Sequence, residues 1–167
     1  MEAADLLVDA VERIRAHVHD LADLGPDAFQ RSTSEGANTI GWLVWHATRV
    51  EDSHVSQLVG SEQIWATGHH AAAQHRDPDP HDTGYGHSPT EAAGVRIVDP
   101  AALVTYHDAV AARTLDHLRS LDLDDLDRVV DDSYDPPVTA GVRLMSVVED
   151  CFMHLGQAQY LRGLLGE

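Results

Sequence analysis

Asp150 and His154 stand four residues apart in the run Asp150-Cys151-Phe152-Met153-His154, a spacing that puts both on one face of a helix. The same face carries Leu144, Val147, Cys151, Ala158, Leu161 and Leu165, so both polar groups are expected to point toward the core, where ionisable side chains need partners. Two chemistries would satisfy them. One is a direct hydrogen bond between carboxylate and imidazole, complete without any ion. The other is a divalent metal, which asks for neutral imidazole nitrogens and a carboxylate converging from rigid elements with a coordination position left open. A third ligand of the right kind lies in Trp42-Leu43-Val44-Trp45-His46, deep in another apolar helix. On that helix the apolar positions Ile40, Leu43, Ala47, Val50 and Leu58 centre nearer His54 than His46, so periodicity alone favours His54 as the ligand.

Around this constellation other residues carry weaker signals. Arg143 and Gln157 fall close to the face of Asp150 and could orient a ligand or touch a substrate; an Arg there could equally be a surface side chain laid along the stripe. Tyr85 and His87, in Gly84-Tyr85-Gly86-His87, sit where a lid could cover a metal or where two glycines simply hold a turn. Cys151 faces the apolar stripe without an evident activating base and reads as core. His17, His19, His69, His70, His75 and His81 fall on polar surfaces and loops and are expected to be solvated. Trp42, Trp45 and Trp65 are expected in the core or on a dimer surface. No residue is assigned as catalytic acid, base or nucleophile.

The elements that must position these residues are helices. Leu7, Val11, Ile14, Val18 and Leu21 recur at three- and four-residue steps from Ala3 to Leu24, and Gly25-Pro26 ends the first helix. A polar link from Gln30 to Gly36 leads to Asn38 or Thr39 as N-cap of a second helix through Val59, closed by Gly60. The third opens at Asp99-Pro100 and runs to Ser120. The fourth follows Pro136-Pro137-Val138-Thr139 and continues to Leu165. With strand-type alternation absent, the reading is an all-α, four-helix bundle in a single domain, 1–167. The stretch from Gly60 to Val98 is long for a structureless connection, and Ser88-Pro89-Thr90-Glu91 within it reads as a capping box that starts a short helix.

Composition narrows the partners. Eleven basic against 28 acidic residues give a formal charge of −17, which would repel phosphate backbones and gives no support to an anionic membrane surface. All the basic residues are Arg, the signature of a high-GC bacterial coding bias. The single Cys151 excludes an intramolecular disulfide, Met1-Glu2-Ala3-Ala4-Asp5 has neither a basic nor an apolar leader region, and no stretch reaches the roughly 20 apolar residues of a membrane span. A cytoplasmic protein is expected, with no nucleic-acid or membrane partner.

Taken together, Thr39-Ile40-Gly41-Trp42-Leu43-Val44-Trp45-His46-Ala47-Thr48-Arg49, Gly84-Tyr85-Gly86-His87 and Asp150-x-x-x-His154-x-Gly-Gln157-x-x-Tyr160-Leu161-Arg162-Gly163 resemble the DinB/YfiT-like superfamily over nearly the whole chain. The resemblance implies a four-helix bundle of rearranged connectivity, often homodimeric, with a divalent metal on one His of the second helix and a His-x-x-x-His pair of the last. Asp150 replaces the first His of that pair, as in the similar mycothiol-dependent maleylpyruvate isomerase branch, which implies zinc on His46, Asp150 and His154 in place of the His54 that periodicity favours. Two His and one carboxylate also suit iron, and nickel fits as well. The implied activity is that of a metal-dependent enzyme in which a low-molecular-weight thiol such as mycothiol is transferred to, or assists isomerisation of, a small electrophile, with Arg143, Gln157, Tyr85 and His87 orienting thiol or acceptor. A non-catalytic metal-binding or stress-related dimeric bundle, and thiol-linked oxidation at ferrous iron, are the alternatives on the same ligands.

Overall fold

The architecture comes from a computed structural model that describes residues 3–166; Met1, Glu2 and Glu167, which belong to the expected domain span and leader reading, lie outside the described residues. Helix α1 (Ala3–Leu21) turns Val11, Ile14, Val18 and Leu21 inward. It stops three residues earlier than expected, because the Gly25-Pro26 pair does more than terminate it. Gly25 and Pro26 open a separate turn of helix, α2 (Pro26–Phe29), that buries Ala28 and Phe29, using proline's preset φ at a first helical position.

Helix α3 (Ile40–Val59) starts at Thr39, whose side chain accepts a hydrogen bond from the Trp42 backbone N–H, and ends at Gly60. The connection that follows is ordered. It holds a 3₁₀ turn at Trp65–Thr67, α4 (His69–Ala73) and α5 (Pro89–Gly94), the last begun by the expected capping box of Ser88 and Glu91. Helix α6 (Pro100–Ser120) is capped by Asp99. A 3₁₀ turn at Leu123–Asp127 and a small antiparallel hairpin, β1 (Val129–Asp131) with β2 (Val138–Thr139), precede α7 (Ala140–Leu165), whose N-cap is Thr139. The hairpin departs from the strand-free reading; strands of three and two residues are too short to leave an alternating pattern.

Packing makes α1, α3, α6 and α7 a four-helix bundle: α3 lies on α7 and α6, and α1 on α6 and α7. The consecutive long helices α1 and α3, and likewise α6 and α7, therefore sit on diagonals. The longest connection, between α3 and α6, joins two neighbours, so its length is not needed to span a distance. It covers α3 instead, and every residue from Ile40 to Arg49 is buried. Trp45, Trp65, Tyr106, Phe29 and Leu155 are among the largest fully buried side chains, and the wholly apolar Phe29 and Leu155 each contribute about 1.5–3 kcal/mol on removal from water. Among the described residues, no helix is long and apolar enough to cross a membrane.

Candidate metal centre

The pairing of α3 with α7 brings His46 against the Asp150–His154 turn. One ligand atom from each of His46, Asp150 and His154 lies within 4.8 Å of the others. His46 is 4% exposed, whereas the side chains of His154 and Asp150 retain 19% and 29% of their exposure. The two α7 residues thus stand on the flank of the buried stripe and not at its centre, which belongs to Cys151, Leu155 and Ala158. That displacement from the expected core position leaves one side of the triad open.

The direct pairing of Asp150 with His154 is incomplete. His154 Nε2 is 3.5 Å from Asp150 Oδ1, beyond a good N–H···O distance, and Asp150 Oδ2 is buried with no hydrogen-bond partner. A buried carboxylate oxygen without a donor costs free energy, and a cation on the triad would remove that cost. The donor set also fits: two imidazoles and one carboxylate on two rigid helices match a three-ligand divalent site with a position to spare.

Hydrogen bonds fix which nitrogens face inward. The Thr83 carbonyl, 2.6 Å from His46 Nδ1, can only accept, so Nδ1 carries the proton and Nε2 keeps its lone pair. His154 Nδ1 lies 3.3 Å from Gln157 Oε1, which leaves its Nε2 toward Asp150 in the same way. Trp42 stacks on the His46 ring at 4.6 Å and 16°. Burial pushes His46 below its ordinary pKa, with smaller opposing effects from the Thr83 bond and Asp150, whereas the nearby Asp150 carboxylate raises His154. Helix α3 thus presents a neutral imidazole, the form a metal requires.

His54, the residue periodicity favours, is not in this group. Its Nδ1 accepts from Arg143 Nη1 at 3.0 Å, and burial together with the Arg143 charge lowers its pKa. Periodicity misplaces the centre of α3 because the covering connection buries the face opposite the bundle. Arg143 also reaches Asp131 of the hairpin at 3.2 Å. His54, Thr83, Tyr85, Tyr134, Arg143 and Asp150 line a solvent-open cavity of about 490 Å³. Tyr85 at its rim is 91% exposed. His87 is turned away from the cavity, accepting from Trp42 Nε1 and reaching Asp82.

Several residues of this neighbourhood escape a sequence reading. Thr83 acts through its backbone, which no side-chain pattern reveals. Tyr134 and Asp131 come from the unexpected hairpin. His107, unlike the solvated histidines, is buried against Glu51 and Thr48, and His70 is half-buried against Tyr106. The adjacent charges Arg49, Glu51 and Asp52 inside an apolar helix were a visible signal of a buried polar network.

A sequence model of the family described as mycothiol-S-transferase matches residues 5–166. No curated protein matches the chain. Among solved structures, the crystal structure of a conserved protein from Enterococcus faecalis is similar over 100% of this chain and 99% of its own, with a TM-score of 0.90 and 29% identity.

Proposed function

The chain belongs to the mycothiol-S-transferase family of DinB/YfiT-like bundles, and we propose on that footing that it is a divalent-metal-dependent enzyme that transfers a low-molecular-weight thiol, mycothiol, to a small electrophile or uses it to assist isomerisation. The observation that carries this reading is the three-ligand group of His46, Asp150 and His154, of which Asp150 also lines the neighbouring cavity. Zinc, with two imidazoles and one carboxylate, suits the donor set best, ahead of nickel and iron. When bound, the ion supplies an acidic site that holds a thiol sulfur as thiolate at neutral pH.

The chain's own residues do the remainder. His46 and His154 present Nε2, with protons held on Nδ1 by Thr83 and Gln157. Arg143, fixed between His54 and Asp131, offers a planar donor to the polar part of thiol or acceptor, and Tyr85 and Tyr134 provide ring faces at the rim. Three protein ligands with a cavity at Asp150 favour catalysis over a purely structural metal, which is closed by a fourth. The stripe of Val142, Met145, Met153, Tyr160 and Leu164 on α7, each more than half exposed, supports the reading of a homodimer packed through α7; a Leu164→Glu change is expected to leave a monomer by light scattering.

The test is metal content of protein purified without chelator or polyhistidine tag, followed by mycothiol conjugation to a panel of haloalkyl and epoxide electrophiles. About one zinc per chain and metal-dependent conjugation, both lost in His154→Ala, are expected. A stoichiometric metal with no conjugation across the panel, while an active transferase in the same assay works, would move the reading to a structural metal in a non-catalytic bundle.

A further inference from the structure

A helix fixes the Cα of His46 but neither the ring's tilt nor its tautomer, and both decide whether Nε2 can serve a metal. In this chain the task falls to the connection after α3. We infer that Arg49 and Gly84 are positioning residues for His46: Arg49 seats the stretch 79–83 on α3, and the missing Cβ of Gly84 lets that stretch press against the imidazole, so that the Thr83 carbonyl holds the proton on Nδ1. The inference rests on the reading of His46, Asp150 and His154 as a metal centre.

Arg49 stands one turn after His46 on α3 and is fully buried. Its Nε donates to the Asp82 carbonyl at 3.1 Å, and its Nη2 to the carbonyls of Pro80 and Asp79 at 3.1 and 3.3 Å. Nη1 donates to Tyr106 Oη at 3.2 Å and to Asp52 Oδ2 at 3.4 Å. Three carbonyls of one short stretch, ending at the residue before Thr83, are thus held by a single planar cation, a task suited to the fork geometry of Arg and not to Lys. Asp52 in turn accepts the backbone N–H groups of Ile64 and Trp65, both at 2.9 Å, so one buried ion pair pins both the beginning and the middle of the connection.

From the other side, His87 Nδ1 accepts from Trp42 Nε1 at 3.3 Å, which leaves Nε2–H to donate to Asp82 Oδ1 at 3.0 Å. Trp42 is the ring stacked on His46. The imidazole is therefore bounded on its face by Trp42 and at Nδ1 by Thr83. A Cβ on Gly84 would stand 2.8 Å from His46 Nδ1, 3.0 Å from the Trp45 ring and 3.2 Å from the Trp42 ring. Two of these groups are indoles buried in the core, so the displacement falls on the imidazole, the nearest of the three.

Gly86 supplies an internal control. It shares the positive φ of Gly84, +76° against +89°, yet a Cβ there would meet nothing within 4 Å. Alanine at either position carries the same kind of backbone strain, but only at Gly84 does it touch His46. Zinc titration by competition with a chromophoric chelator, at a temperature where both variants are folded, is expected to show affinity lowered on the order of 10- to 100-fold in Gly84→Ala and unchanged in Gly86→Ala, with the metal-free Gly84→Ala melting below Gly86→Ala because its Cβ is overpacked. Arg49→Lys is expected to lower affinity in the same direction. In the metal-free state, ¹⁵N shifts of the His46 ring report the tautomer directly: Nδ1–H in the parent and in Gly86→Ala, a mixture in Gly84→Ala. Equal loss of affinity in the two glycine variants, or a parent His46 protonated on Nε2, would overturn the inference. A parent chain that takes up no metal would overturn the metal reading instead, and the tautomer measurement would still decide the role of Gly84.

Discussion

Helix α3 contributes to two histidine–carboxylate groupings on different faces. His46 meets Asp150 and His154 on the α7 side, while Glu51, five residues and so roughly 140° further round the helix, meets His107 of α6. Residue types are alike, but surroundings differ. Glu51 Oε2 and His107 Nδ1 are 4.0 Å apart, with side chains 1% and 2% exposed, and Glu51 Oε2 and His107 Nε2 have no hydrogen-bond partner. Thr114 Oγ1 lies 2.6 Å from Glu51 Oε1. Burial raises Glu51 from 4.5 to about 7 and lowers His107 from 6.5 to about 4, so near pH 6 both are neutral. At the open triad, two of the three residues keep part of their exposure and a cavity adjoins Asp150. A closed pair relieves desolvation by discarding its charges; an open one can instead recruit a cation. Access, more than residue identity, separates a candidate site from a buried polar contact.

His154→Ala is expected to weaken zinc binding by roughly 10²–10³-fold, since a zinc site worth about 10–16 kcal/mol divides over its few ligands, whereas His107→Ala should leave the zinc titration unchanged. If His107→Ala cost as much affinity as His154→Ala, the two groupings would not be independent.

The next effect concerns pH. The folded pKa of Glu51 lies above its unfolded value, so between pH 4.5 and about 7 the folded state holds more protons than the unfolded one, and this residue's contribution to stability declines as pH rises across that window. His107, lowered in the fold, acts oppositely between about pH 4 and 6.5, which leaves Glu51 alone to act on the alkaline side. Glu51→Gln, which removes the titration, is expected to raise stability at pH 8 by up to about 3 kcal/mol, the free energy of a shift of this size, without altering zinc affinity. Urea unfolding at pH 6 and pH 8 measures it; a variant less stable than the parent at pH 8 would show that Glu51 is ionised and favourably held.

Smaller changes sharpen the open side. Asp150→Asn keeps an oxygen donor but loses the charge, and zinc affinity is expected to fall by about 10–100-fold, comparable to the loss of a strong supporting contact. His54→Ala, at the cavity but outside the triad, is expected to change zinc affinity least, while altering the Michaelis constant for the thiol by releasing Arg143. A larger effect from His54→Ala than from Asp150→Asn would show that the wrong imidazole of α3 has been placed at the metal.

Much of this molecule was legible in local chemistry. Thr39 and Asp99 cap helices as their side chains predict, and Ser88 with Glu91 closes the expected box, because capping involves residues only two or three apart. The all-α bundle followed from apolar periodicity in the same way. Periodicity failed on α3, where it centred the apolar face near His54. A 3.6-residue pattern reports a helix with one wet side, and the connection through Thr83 and Gly84 leaves the first half of α3 with none. The hairpin that supplies Asp131 and Tyr134 was invisible for a different reason: five strand residues cannot establish an alternation.

By itself the amino-acid order determined the helices, their caps, the acidic surface and the pairing of Asp150 with His154 on one turn, since each depends on contacts within a few residues. Only the tertiary structure decided that His46 and not His54 faces that turn, that Asp150 and His154 lie on the flank of the core beside a cavity, and that Glu51 and His107 are closed off from water. These outcomes depend on how far each helix is rotated about its axis and on what the connection after α3 covers, quantities set by packing between segments 30 to 100 residues apart.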